Sequence, residues 1–164
     1  MHDDTDDRAS RALAIAAAIA AADAGEKSDA RRMGPAGSPL FWRQVARLGI
    51  PRWQEAGWLR FTRLVALLTP ASRESSVHDD KRPLGAVLHD AGFSEQRLAR
   101  LIAARGAARD DALERAIRMI ARKTTGLNTV DLARAVFWPD DGSHLARAYY
   151  KQSDKSQTED IQND

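Results

Sequence analysis

Apolar residues return every three to four positions in nearly every segment of this chain, and no run alternates cleanly with period two. A pattern of period 3.6 buries one stripe of a helix, whereas on a strand it would scatter apolar side chains over both faces. The fold class expected is therefore all-α: a compact helical bundle of about seven to eight helices. With 164 residues and 43% apolar content, it suits one domain or two small helical lobes sharing a core.

Local punctuation marks the helices. Leu13–Ala22 is an apolar, Ala-rich stretch within an acidic N-terminal segment, residues 1–30, expected to be partly helical. Gly25 to Gly37 reads as a polar connection. Ser38-Pro39 starts a helix running to about Leu48, because Ser caps orphan N–H groups and Pro needs no partner for its own; Gly49 suits the left-handed stop. A helix from Pro51 ends at Thr69-Pro70, and 70–82 reads as a mobile loop. Pro83–Ala91 forms a short helix closed by Gly92, and Ser94 caps the next, to about Arg105. Asp110 and Asp111 favour the start of another, reaching Lys123. Asn128 caps 129–137, which stops at Pro139, and Ser143 opens a last helix to Lys151. Residues 152–164 are polar, without apolar spacing, and are expected to be disordered. The basic helical domain thus spans 31–151.

Charge is unevenly spread. Residues 31–151 hold 21 Lys and Arg against 12 Asp and Glu, while residues 1–30 and 152–164 are net acidic, so the overall +2 hides a basic body between acidic ends. Clustered cations attract polyanions whatever their sequence. From charge alone, nucleic-acid contact and a plain solvated surface stand about equal. With no cysteine, disulfides, thiolate nucleophiles and thiolate metal ligands are excluded. The apolar stretch near the N-terminus is too short to span a bilayer and follows four aspartates, so no membrane is implied and a cytoplasmic location is expected.

At about 100° per residue the arginines fall opposite the apolar stripes. Arg43 and Arg47 oppose Phe41, Val45 and Leu48. Arg52, Arg60 and Arg63 lie away from Trp58, Phe61, Leu64, Val65 and Leu68. Arg97 and Arg100 oppose Leu98, Leu101 and Ile102, while Arg115, Arg118 and Arg122 oppose Leu113, Ile117 and Ile120. With the pair Arg31 and Arg32, and Lys123, these arginines other than Arg52 are the candidate nucleic-acid-binding residues. Few acids accompany them, and the planar guanidinium fork suits phosphate. Whether the faces merge into one groove is a tertiary question. Trp53, Trp58 and Phe61 read as core; Trp42 and the pair Tyr149-Tyr150 are candidates for a subunit interface. No interleaving of basic and aromatic residues marks a single-strand stacking platform.

Catalytic signatures are weak. His78-Asp79 and His89-Asp90 carry the dipeptide of HD-type metal phosphohydrolases, but such a site needs a further His and a distant Asp, and polar surface is the simpler reading. No GxxxxGK(S/T) loop, HExxH helix or GxSxG elbow occurs. The expectation is a protein that is not an enzyme and needs no cofactor or metal.

Three blocks, in order, carry a family resemblance. PLGAVLHDAGFSEQRLARLIAARG (residues 83–106) resembles the LG-x-x-L…G-x-x-E-x-R…L block of the small subunit, the CasB family, of the type I-E CRISPR Cascade surveillance complex. ARRMGPAGSPLFWRQVARLGI (30–50) resembles that family's Arg pair and aromatic-Arg helix, and VDLARAVFWPDDGSHLARAYY (130–150) its closing Trp-containing helix pair. The resemblance covers about Arg31 to Tyr150. It implies an all-α, non-catalytic protein that self-associates with a second copy along an RNA-guided complex, beside other Cascade subunits. Its partners would be crRNA, target DNA and the displaced strand, held through phosphates; guide pairing would carry the sequence information. Arg32, Arg43, Arg63, Arg97 and Arg118 match the family's basic positions, as does Arg134, for which a structural or interface role is equally open. The acidic N-terminus and polar tail lie outside the match.

The second reading is a helical adaptor whose arginines meet acidic protein partners without nucleic acid. A helix-turn-helix regulator ranks third, since no helix pair shows a recognition end, and an HD-type hydrolase fourth.

Overall fold

The computed structural model describes residues 2–123 and 126–163. Among them the protein is all-α: α1 (His2–Ala21), α2 (Ala24–Arg32), α3 (Pro39–Leu48), a 3-10 turn (Arg52–Gln54), α4 (Glu55–Leu68), α5 (Leu84–Asp90), α6 (Glu95–Ala103), α7 (Gly106–Ala121), α8 (Thr129–Phe137) and α9 (Gly142–Gln162). The helix beyond the upper expectation of eight is α2: the N-terminal region, expected to be partly helical, forms both α1 and α2. No helix of the described residues is long and apolar enough to cross a membrane.

The chain divides into two helical units, Met1–His78 and Asp79–Asp164. The expected boundary after residue 30 does not describe this packing. Ala12, Ile15, Ala16, Ile19 and Ala20 recur at helical spacing on α1 and are buried, so the acidic segment contributes core instead of standing apart. Nor is Gly25–Gly37 a simple connection: Asp23 accepts the Glu26 amide at 2.8 Å and starts α2.

In the first unit, α1 and α2 lie against α4, with α3 beside them. Phe41, Trp58, Phe61, Val65 and Leu68 form its centre, and the Trp58 and Phe61 rings meet edge-on at 5.3 Å. The side-chain amide oxygen of buried Gln54 accepts from Arg11 at 3.1 Å and from the Trp58 indole at 3.0 Å, joining α1 to the start of α4. Lys27, only 2% exposed, donates to the carbonyls of Ala71 (3.3 Å) and Arg73 (2.7 Å). Arg73 in turn donates to Ser75 and Ser76, each at 2.8 Å. The beginning of the expected mobile loop is thus pinned to α2.

Trp53 corrects the core assignment, for it is 74% exposed. The helical wheel assumed one helix from Pro51, but a 3-10 turn precedes α4 and shifts the phase, so that Gln54 points inward and its neighbour outward. Trp53→Ala should accordingly change unfolding free energy by under about 0.5 kcal/mol. Trp58→Ala should cost about 3–5 kcal/mol. Denaturant titration of the two variants checks the contrast.

In the second unit α5 packs along α9. The approach is so close that a Cβ on Gly85 would overlap the Leu145 carbonyl and come within 2.7 Å of the Tyr149 amide nitrogen. Tyr149 is buried, and its hydroxyl donates to the Phe93 carbonyl at 2.5 Å; its expected place in an interface is corrected to a structural one, while Tyr150 is exposed. Arg134 pairs with Asp141 across the α8–α9 turn, holding that carboxyl below the usual range. The helix expected to end at Lys151 continues, and residues 152–162, expected to be disordered, are helical. Extending a nucleated helix adds one hydrogen bond per residue fixed, without the cost of starting a new one.

Candidate nucleic-acid interface

The α6–α7 hairpin is assembled from local signals. Gly92, at φ 84°, turns the chain after α5, and the amides of Gly92 and Phe93 bond back to His89 and Leu88, each at 3.0 Å. Ser94 caps α6 through the Arg97 amide at 3.2 Å. Gly106 (φ 60°) then opens α7, four residues before the expected start at Asp110, which leaves Asp110 and Asp111 beyond the first turn. Buried Arg109 braces the pair: it donates to the Leu101 carbonyl on α6 at 2.9 Å and to the Ala135 carbonyl on α8 at 3.0 Å. Burial, and then neighbouring Arg105, lower the pKa of its guanidinium.

Between α6 and α7 lies an open groove of about 540 Å³. Phe93, Leu101, Ala112 and Met119 give it apolar walls. Five arginines line it, Arg97 and Arg100 from α6 and Arg115, Arg118 and Arg122 from α7. Helical geometry explains the α7 row, since steps of three and four residues keep a side chain on one face. Leu98 and Leu101 on α6, with Leu113, Ile117 and Ile120 on α7, are buried. The polar faces therefore open together.

Little negative charge answers these cations. Arg118 chelates Glu114 within α7, at 3.1 and 2.9 Å. Arg97 reaches the Met119 sulfur at 3.7 Å. Among the described residues, Arg100, Arg115 and Arg122 have no hydrogen-bond or ion-pair partner. Lys123 stands just outside, its Nζ 3.5 Å from where a Cβ on Gly92 would lie. Guanidiniums gathered on a concave, partly apolar surface make a receptor for anions, most strongly for those that accept two parallel N–H bonds.

The candidate arginines of the first unit are used differently. Arg31 donates to the Ala66 and Thr69 carbonyls at 3.2 and 3.3 Å, satisfying the C-terminal end of α4, and Arg63 donates to the Arg31 carbonyl at 3.2 Å. Both hold α2 to α4. Arg43 pairs with Glu26 at 2.5 Å, and exposed Arg32 stands 3.7 Å from Asp29. Arg60 is half-buried and Arg47 exposed. Of the twelve candidates, the structure brings five together in one groove, with Lys123 beside them.

Sequence reasoning missed Lys27 and Arg109, whose signal is tertiary: each meets carbonyls far along the chain. The HD pairs are dispersed in use. His89 Nδ1 is 3.5 Å from Asp90, whose carboxylate also accepts from Gln152 at 3.1 and 3.3 Å. No group of three or more His, Asp or Glu side chains able to hold a metal ion gathers among the described residues. No known protein family, curated protein or solved structure matches the chain.

Proposed function

We propose that this protein is a non-catalytic nucleic-acid-binding subunit, and that it holds phosphodiester backbones in the α6–α7 groove. One observation carries the reading: five arginines line one groove, and three of them have no partner within the described chain. A structural guanidinium finds a carbonyl or carboxylate, as Arg31 and Arg109 do. The three in the groove are left for something outside. Backbone phosphates suit them because they present paired oxygens and need no base-specific contact. The resemblance to the Cascade small subunit fits the same chemistry and supplies a setting, an RNA-guided complex in which Arg97 and Arg118 face crRNA, target DNA or the displaced strand. Copurification of the tagged chain with other Cascade subunits and RNA tests that setting. Recovery of acidic protein without RNA would favour the adaptor.

The groove itself is tested by anisotropy of labelled oligonucleotides. Three to five phosphate contacts should give a slope of log K against log salt of about −2 to −4.5, similar for unrelated sequences. A slope near zero, or strong preference for one sequence, would overturn the reading.

A further inference from the structure

We infer that the C-terminal end of α9 of one copy occupies the α6–α7 groove of a second copy, so that the chain's own carboxylates hold the groove arginines when no phosphate does. The inference takes the groove as described, and only its competition arm rests on the nucleic-acid reading.

Three features of α9 point to a missing partner. None of its residues after Tyr149 is buried, so its last turns have no apolar face against their own unit. A helix end polar nearly all round is marginal unless something outside supports it. Second, Glu159 and Asp160 stand at the C-terminal end of α9, and the last turn holds no basic residue. The helix dipole is negative there, so these acids oppose it, the reverse of the usual placement. Third, Ile161 is 78% exposed on this otherwise polar segment.

The groove supplies what that segment lacks. Asp154, Thr158 and Ile161 share one face at steps of four and three residues. They present a carboxylate and an aliphatic side chain together, matching arginines set around Phe93, Leu101 and Met119. Glu159 and Asp160 flank that face and add negative charge. Among the described residues of one copy Asp154, Glu159 and Asp160 form no ion pair, so the same chain's groove does not take them. A second copy does. Tail and groove are different surfaces, so the contact is heterologous and adds copies in series unless rotation closes a ring.

Sedimentation velocity of the full chain across concentration and salt tests the contact. The wild type should show mass that rises with concentration at low salt and falls toward the monomer by about 0.5 M salt, where exposed charges are screened. Removing residues 152–164 should abolish the association. So should Asp154→Asn/Glu159→Gln/Asp160→Asn, which keeps the length and serves if truncation perturbs α9. A groove variant, Arg100→Glu/Arg115→Glu/Arg122→Glu, and a tail variant, Asp154→Arg/Glu159→Arg/Asp160→Arg, should each remain monomeric alone and associate when mixed. A wild type that does not associate, association that survives loss of the tail charges, or failure of the mixture to associate would each overturn the inference. The competition arm reads oligonucleotide affinity. Where the wild type is associated, tail removal should tighten binding by roughly threefold to tenfold, because the competent fraction rises. Salt-sensitive association without oligonucleotide binding keeps the tail–groove contact and removes the nucleic-acid reading. Oligonucleotide binding without association does the reverse.

Discussion

Arg100→Glu/Arg115→Glu/Arg122→Glu should lower oligonucleotide affinity by about two to three orders of magnitude at low salt, while helicity and melting temperature stay nearly unchanged. These three guanidiniums have no partner within the described chain, so replacing each should alter stability by under about 0.5 kcal/mol. Binding loses three charge-assisted contacts and gains three repulsive charges, and the salt slope should flatten by roughly one per contact removed. Arg→Lys at the same positions separates two contributions. It keeps the charge and loses the two-pronged fork, so a small loss would mean a diffuse field and a large one directed phosphate bonds. Undiminished affinity of the Glu variant would remove the groove from the interface.

Gly85→Ala should be among the most destabilising single methyl additions in the second unit. The added carbon would strike the Leu145 carbonyl, lie 2.7 Å from the Tyr149 amide nitrogen and 2.9 Å from the Ala148 Cβ. Two of these neighbours are backbone of α9, which yields only if the helix moves. Overpacking of this kind costs about 1–3 kcal/mol, and the backbone contacts put Gly85 at the upper end. Melting should fall by roughly 6–12 °C. Gly34→Ala is the control, for a Cβ there meets nothing within 4 Å and should be nearly neutral. Equal melting of the two variants would contradict the close α5–α9 approach. Displacement of α9 would also draw Tyr149 from the Phe93 carbonyl, so surviving Gly85→Ala protein should bind oligonucleotides more weakly.

What could be read in advance was local. Ser38, Ser94 and Asn128 cap the helices they precede because a side-chain oxygen two or three residues ahead of an amide needs no distant partner. The Leu113, Ile117 and Ile120 stripe was legible for the same reason, and with it the polar side of α7. Arg31 and Arg63 were not, because on a wheel a guanidinium aimed at solvent and one aimed at the neighbouring helix's carbonyls occupy the same angle. Trp53 failed through a change of helical phase at a turn that no residue announces. The helical end of α9 was hidden by the absence of apolar spacing, the very property that leaves it unpartnered. The meeting of the α6 and α7 arginine rows depends on Arg109 reaching carbonyls eight and twenty-six residues away.

Every cation lining the groove is arginine; neither lysine nor histidine contributes to its walls. A guanidinium keeps its proton throughout the range in which proteins stay folded. The groove therefore carries the same positive charge in mildly acidic and mildly alkaline surroundings, and acetylation of amines leaves it intact. The receptor's charge is permanent, so its occupancy is governed by salt and by whichever anion is present.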